Sequence, residues 1–273
     1  ASGAAWSTAF RRVPEAMSAV LPYGAAILAI VMVFGGSLYP WSHEHEALTG
    51  FKAVWLNFPF FLARGVLYVA LWLLFTKAIL KTSRLQDDTR DPAATSRNAR
   101  LSVIFLVVFG VTFWLASFDW IMSLEPHWAS TIFGIYNFAG MFSSGLAVII
   151  LLVVWLRNAG PLRDFVTDEH LHDLGKLLFG FSTFWMYIWF SQYMLIWYAN
   201  ISEETIYYIK RQQQFWLPLF ILNMILNWVV PFVALLSKRT KRAGSLLAKV
   251  AAVVLAGRWL DLYMMIQPAA GAG

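Results

Sequence analysis

A chain of 273 residues that is 59% hydrophobic and only 13% charged, with 14 tryptophans and 22 phenylalanines, carries more apolar surface than a soluble domain of this length can hide. It has no cysteine, which excludes thiolate-ligated iron–sulfur clusters, covalently attached haem and disulfides. The net charge of +6 is gathered on alternate loops, so it reads as a topology signal and argues against binding to nucleic acid.

The expected fold is all-α, a polytopic transmembrane helix bundle. A spanning helix needs about 20 apolar residues. Runs of that length fall at roughly 20–39, 55–80, 101–124, 130–156, 177–199, 215–236 and 245–266, which makes seven spans. The runs are continuous, whereas barrel strands are shorter and alternate in polarity. Residues 1–19 then form a cytoplasmic or interfacial segment, 20–266 a single membrane domain, and 267–273 an external tail. Arg11 and Arg12 precede the first run, but its length and its Tyr39-Pro40-Trp41 flank suit a span better than a cleaved signal peptide.

Lys81, Arg84, Arg90, Arg97 and Arg100 lie between the second and third runs, Arg157, Arg163 and Lys176 between the fourth and fifth, and Lys238, Arg239, Lys241 and Arg242 between the sixth and seventh. The other loops hold only Lys52, Lys210 and Arg211, so the amino terminus is expected in the cytoplasm and the carboxyl terminus outside. Lys77 and Lys249 stand near cytoplasmic span ends and can snorkel. Trp41, Trp55, Trp128, Trp197, Tyr198, Tyr207, Tyr208 and Trp216 read as an aromatic belt at the outer boundary. The chain opens at Ala1 without a methionine and closes in small residues, as part of a longer protein would.

Charges within spans are expensive and face the bundle interior, paired or beside water. Arg64, Asp119, Arg258 and Asp261 fall at similar depth in the outer half, with Gln192, Tyr193, Asn137 and Asn223 near them. Arg258 and Asp261, three apart, share a helical face, and Asp119 can meet Arg64 or Arg258. Two readings stay open: a structural ion-pair layer, and a polar pocket that exchanges protons or holds a quinone head group. Thr183, Tyr187 and Ser191, spaced by four, form a candidate hydroxyl relay or an interhelical hydrogen-bonding face. The run before the fifth span, Thr167 to Asp173, offers His172 and Asp173 as a proton-collecting surface, with Asp173 as a helix cap in the plainer reading and a metal site as the least favoured. His43-Glu44-His45-Glu46 reads as a solvated loop. All five histidines sit in loops or at their edges, so no axial pair for a transmembrane haem and no metal redox centre is expected; no nucleotide-binding or serine-hydrolase motif appears.

Four runs carry a family resemblance: NFPFFLARGVLY (Asn57 to Tyr68), FDWIMSLEPHWASTIFGIYNFAG (Phe118 to Gly140), EHLHDLGKLLFGFSTFWMYIWFSQYMLIWYANISEE (Glu169 to Glu204) and RWLDLYMMIQP (Arg258 to Pro268). In this order, over roughly Trp55 to Pro268, the chain resembles the F subunits (ActF) of bacterial alternative complex III, which are paralogues of NrfD-like, polysulfide-reductase-type membrane subunits. The resemblance implies a multi-pass subunit of the bacterial inner membrane, in a respiratory or photosynthetic quinol:electron-acceptor oxidoreductase. Menaquinol would be oxidised there and electrons would pass through iron–sulfur and c-haem subunits. It implies an NrfD-like C subunit as neighbour, haems and clusters confined to partner subunits, and more spans than the seven here, at the amino end. The role expected of this chain is proton translocation or quinone binding, without a covalently bound cofactor; a purely structural anchor for the redox subunits is the alternative. A secondary transporter is less favoured because the halves show no repeat, and a retinal protein less still because Lys249 sits at a span end.

Overall fold

The computed structural model describes residues 6–34, 39–42, 50–89, 92–213 and 215–270. The His43 to Glu46 run lies outside the described residues. Those described contain helices, turns and short connections and no strand. Where one membrane domain is expected, the chain divides into two compact units, Ala1–Leu124 and Glu125–Gly273.

The first unit holds α1 (Arg12–Met17), α2 (Leu21–Phe34), α3 (Phe51–Trp55), α4 (Phe58–Thr89) and α5 (Pro92–Trp120). Helix α4 opens at Asn57, whose Oδ1 accepts the Phe60 N–H at 3.4 Å. Pro92 is the first residue of α5, where its missing N–H costs nothing. A ladder of Phe75, Phe105, Phe109, Phe113 and Trp72 zips α4 to α5, and Trp72 Nε1 donates to Thr112 Oγ1 at 2.9 Å. Helix α2 lays Met32 on Gly65 of α4. At the other end of this unit Glu15 takes hydrogen bonds from Arg11 and Ser83, at 3.0 and 2.6 Å, and Arg12 pairs with Glu15 and Asp87.

The second unit holds α6 (Phe133–Ala159), α7 (Asp168–Ala199), α8 (Ser202–Gln212), α9 (Leu217–Met224), a π-helical turn (Ile225–Val229), α10 (Val230–Leu236), α11 (Lys238–Arg242) and α12 (Gly244–Ala270). Gly160, at φ +115°, ends α6 in a conformation closed to other residues, and Asn200, in the left-handed region, ends α7. Pro231 withholds the N–H that an α-helix would offer Asn227, and the π turn accommodates that gap. Ring contacts Phe142–Phe181, Phe179–Phe232 and Trp189–Phe220 pack α7 against α6, α10 and α9.

Several sequence boundaries shift. The first apolar stretch is helical from Ser7 to Phe34, so Arg11, Arg12 and Glu15 lie within it and not in a separate segment before it. The long basic loop expected between the second and third runs is mostly helix, because α4 continues to Thr89 and α5 begins at Pro92. Helix α7 starts at Asp168, so Asp173 is not its cap; it sits a turn inside and pairs with Lys176 at 2.6 Å.

Five helical stretches among the described residues are long and apolar enough to cross a membrane: Ser7–Phe34, Phe58–Asp87, Ala93–Leu124, Phe133–Ala159 and Leu217–Leu236. The other two expected spans lie in α7, 32 residues, and α12, 27 residues. At 1.5 Å per residue these are roughly 48 and 40 Å long, more than a bilayer core requires. They are less apolar because α7 opens on charged and histidine residues and carries several Trp and Tyr, and α12 carries Lys249, Arg258 and Asp261. Large apolar side chains such as Ile27, Phe34, Leu106, Val107, Leu195 and Val233 face outward, a surface that calls for lipid or protein around it.

Candidate functional site

The polar side chains of the second unit converge on Asp261. Helix α6 turns Tyr136, Asn137 and Gly140 to its buried face, α7 does the same with Trp185 and Gln192, and α9 with Asn223. Asp261, 1% exposed, receives the Arg258 guanidinium, the Tyr136 hydroxyl, the Trp185 indole N–H at 3.2 Å and the Asn223 amide at 3.0 Å. Arg258 also donates to Asn137 Oδ1 at 3.2 Å, and Asn227 donates to Asn223 Oδ1 at 2.7 Å. The guanidinium lies on Gly140, where an added Cβ would have to displace it.

Beside this carboxylate is a cavity of about 20 Å³, room for one water molecule. Asp261, Tyr136, Asn223, Gln192, Tyr207, Tyr208 and Arg211 line it. Tyr208 also lines a second cavity of about 360 Å³, together with Tyr193, Trp197, Asn200, Thr205 and Gln212. Tyr193 stacks on Trp189, and its hydroxyl accepts from Gln212 at 3.1 Å. Burial pushes the Tyr207 hydroxyl up to about 12, with Arg211 opposing, and pushes Tyr208 well above the usual phenol value, so both remain protonated donors.

The other carboxylate, Asp119, closes the first unit. Arg64 grips it in a bidentate fork, Nε to Oδ2 and Nη2 to Oδ1, both at 2.9 Å. Trp55 Nε1 adds a bond at 2.8 Å and Tyr68 one at 3.0 Å. The guanidinium stacks on Trp55 and Phe60, 4.0 and 4.4 Å from their centroids, and donates to the Trp55 carbonyl. Its Nη1 is buried without a partner among the described residues.

The sequence-predicted residues therefore fall into sets. Arg258, Asp261, Asn137 and Asn223 form one network, with Gln192 beside it; Arg64 and Asp119 form another. Thr183, Tyr187 and Ser191 do share a face of α7, but Thr183 donates to its own helix at Phe179 and Tyr187 is 65% exposed. The buried face of α7 is the one bearing Ser182, Trp185, Trp189 and Gln192. His172 and Asp173 lie in the first turns of the same helix. The aromatic belt is also only partly outward: Trp197 and Tyr198 are exposed, whereas Trp41, Trp128, Tyr207 and Tyr208 are buried and Trp55 binds Asp119. The Trp128 and Tyr207 rings stack at 4.0 Å.

Sequence reasoning missed Arg211, which it counted as a loop cation. Arg211 is 2% exposed and lies 3.4 Å above the Tyr207 ring. Pro268 has no N–H for the Met264 carbonyl four residues back, and Arg211 Nε supplies one at 2.8 Å. Arg211 Nη2 reaches the Met265 carbonyl at 3.0 Å and stands 2.9 Å from Glu125 Oε1. Pro268 is the signal in the sequence, since it frees a carbonyl that some donor must meet. Among the described residues no group of three or more His, Asp or Glu side chains could hold a metal ion. No protein-family model matches the chain, and no curated protein does.

Proposed function

We propose that this chain is an integral membrane subunit that exchanges protons at Asp261, within a quinol:electron-acceptor oxidoreductase of the alternative complex III type in the bacterial plasma membrane. The observation that carries the reading is a buried carboxylate, fully supplied with donors, beside a polar cavity the size of one water molecule. Arg258, Tyr136, Trp185 and Asn223 hold the carboxylate in place, and Gln192 and Tyr208 line the cavity beside it. In this reading all seven runs span, α7 and α12 included, with the amino terminus cytoplasmic and the carboxyl terminus periplasmic. Iron–sulfur and c-haem subunits and an NrfD-like C subunit are the partners, and they hold the metal centres.

The larger cavity fits a quinone head group such as that of menaquinone. Its volume lies in the range of small-molecule sites, Tyr193, Trp197 and Tyr208 give aromatic walls, and Asn200 and Gln212 give amide donors. A quinol there supplies protons and electrons together; the chain's own contribution is to orient the ring and to offer Tyr208 between that cavity and the smaller one. A second reading, a structural anchor, is favoured by the Arg64–Asp119 fork, which has the geometry of a helix fastener.

The test is Asp261→Asn in the assembled complex, with Asp119→Asn beside it. Removal of a titrating group predicts normal assembly with turnover or proton release reduced about a hundredfold in the first variant. Full turnover and full proton coupling in the Asp261→Asn variant would remove the basis for the proposal.

A further inference from the structure

We propose that the end of the second unit formed by the start of α7 and by α11 binds the phosphodiester head group of an anionic phospholipid. This rests on the chain being embedded in a membrane and not on the quinol reading.

From Arg157 to Lys249, leaving aside the α8 segment at the opposite end of α7, this end carries Arg157, Arg163, Lys176, Lys238, Arg239, Lys241, Arg242 and Lys249 against Asp164, Asp168, Glu169 and Asp173. Three of those carboxylates are already taken, by Arg157 at 2.7 Å, Lys176 at 2.6 Å and Arg242. Lys238, Arg239 and Lys241 have no carboxylate partner among the described residues, so positive charge is left over on one short helix.

That helix is held in place. The Lys241 stem crosses α7 at Gly175, where an added Cβ would sit 2.8 Å from its Cγ, and its Nζ lies 5.9 Å from the Phe179 ring centroid. Two residues before α11 the last apolar helix ends at Leu236, so the cations stand where hydrocarbon gives way to head groups. Leu236 and Phe165, 60% and 65% exposed, give acyl chains something to lie against, which a free phosphate would not need. A phosphate oxygen is the complement of several cations on a fixed framework.

The experiment uses the full chain, purified in mild detergent and placed in nanodiscs of phosphatidylcholine with a small share of phosphatidylglycerol or cardiolipin. Native mass spectrometry reads which lipids remain bound. The expected result is one anionic phospholipid retained per chain, with preference over phosphatidylcholine falling about a hundredfold when Lys238, Arg239 and Lys241 are all changed to Gln. Lys210→Gln, on α8 at the opposite end of α7, should leave it unchanged. A salt titration of the unaltered chain needs no variant: the preference must weaken as ionic strength rises. Equal retention by the triple variant, or no preference at low salt, overturns the proposal. Displacement by inorganic phosphate at the lipid's own concentration overturns the lipid assignment in favour of a free-anion site, and retention of a co-purified protein in place of lipid overturns it in favour of a protein contact.

Discussion

Asp119 and Asp261 are bound by the same three kinds of donor, an arginine guanidinium, a tyrosine hydroxyl and a tryptophan indole, yet they do different mechanical jobs. Arg64 and Asp119 stand on α4 and α5, so their fork joins two helices, and both carboxylate oxygens are held by two donors each. Arg258 and Asp261 stand on one helix, and their pairing joins nothing; Tyr136, Trp185 and Asn223 connect α12 to α6, α7 and α9. The second carboxylate has a water-sized cavity at its side. The Arg64–Asp119 pair is itself the link between two helices, whereas at Asp261 the links are the tyrosine, tryptophan and asparagine donors and the arginine pairs within its own helix.

The largest effect that sharpens this comparison is Arg64→Ala, which leaves Asp119 buried with its main countercharge gone. Breaking a buried pair this way costs about 3 to 5 kcal/mol, so thermal stability in detergent should collapse. Stability within about 1 kcal/mol of the unaltered chain would mean that the fork is not a fastener.

Arg211→Met should cost about 1.5 to 3 kcal/mol, because it removes charged donors from the Met264 and Met265 carbonyls. The double variant with Pro268→Ala returns an N–H to Met264 and should recover part of that loss. Strict additivity of the two changes in a thermal-melt cycle would deny the link between Pro268 and Arg211.

Gly140→Ala pushes into the Arg258 guanidinium, which can move only by leaving Asp261 and Asn137. A cost of about 1 to 3 kcal/mol is expected for such overpacking, and on the proposed function the variant should also alter proton exchange. Gly145→Ala on the same helix meets nothing within 4 Å and serves as the silent comparison. If both variants behave alike, the close approach at Gly140 has no functional weight.

The smallest effect is on pH. Burial, with Lys176 next and Lys241 and Arg242 adding to it, holds the His172 imidazole below its usual 6.5, against a raising contribution from Glu169. A lowered histidine favours its neutral form in the folded chain. It costs no stability above about pH 6.5 and loses stability as pH falls from there toward its folded value. Melting temperature should drop modestly between about pH 7 and 5, and His172→Gln should flatten that slope. An unchanged slope would assign the titration to another group.

Much of this arrangement was legible because apolar runs of spanning length are hard to miss and because Arg258 and Asp261, three apart, must share a face. The start of α7 was not, since Thr167 to Asp173 is polar and reads as loop until its backbone bonds are seen. Tyr68, Tyr136, Trp55 and Trp185 read as apolar bulk or belt, because an O–H or N–H acquires a role only when its acceptor is known. Spacing put Thr183, Tyr187 and Ser191 on one face of α7 but could not say which face is buried; Trp185 and Trp189, with more apolar area to hide, took the inside. Arg211 and Glu125 fall between the apolar runs, where a charged residue is expected to meet water; only once α8 is seen as a helix does Arg211 join Tyr207 and Tyr208 on its buried face.

The dependence of three helices on Asp261 has a consequence for biosynthesis. Tyr136 is made 125 residues before the carboxylate it binds, and Trp185 and Asn223 are made 76 and 38 residues before it. The acceptor is made after all three donors, so until α12 is synthesised Tyr136, Trp185 and Asn223 have no Asp261 to meet and Gly140 has no guanidinium against it. Synthesis of α12 is thus the step at which α6, α7 and α9 gain their common acceptor.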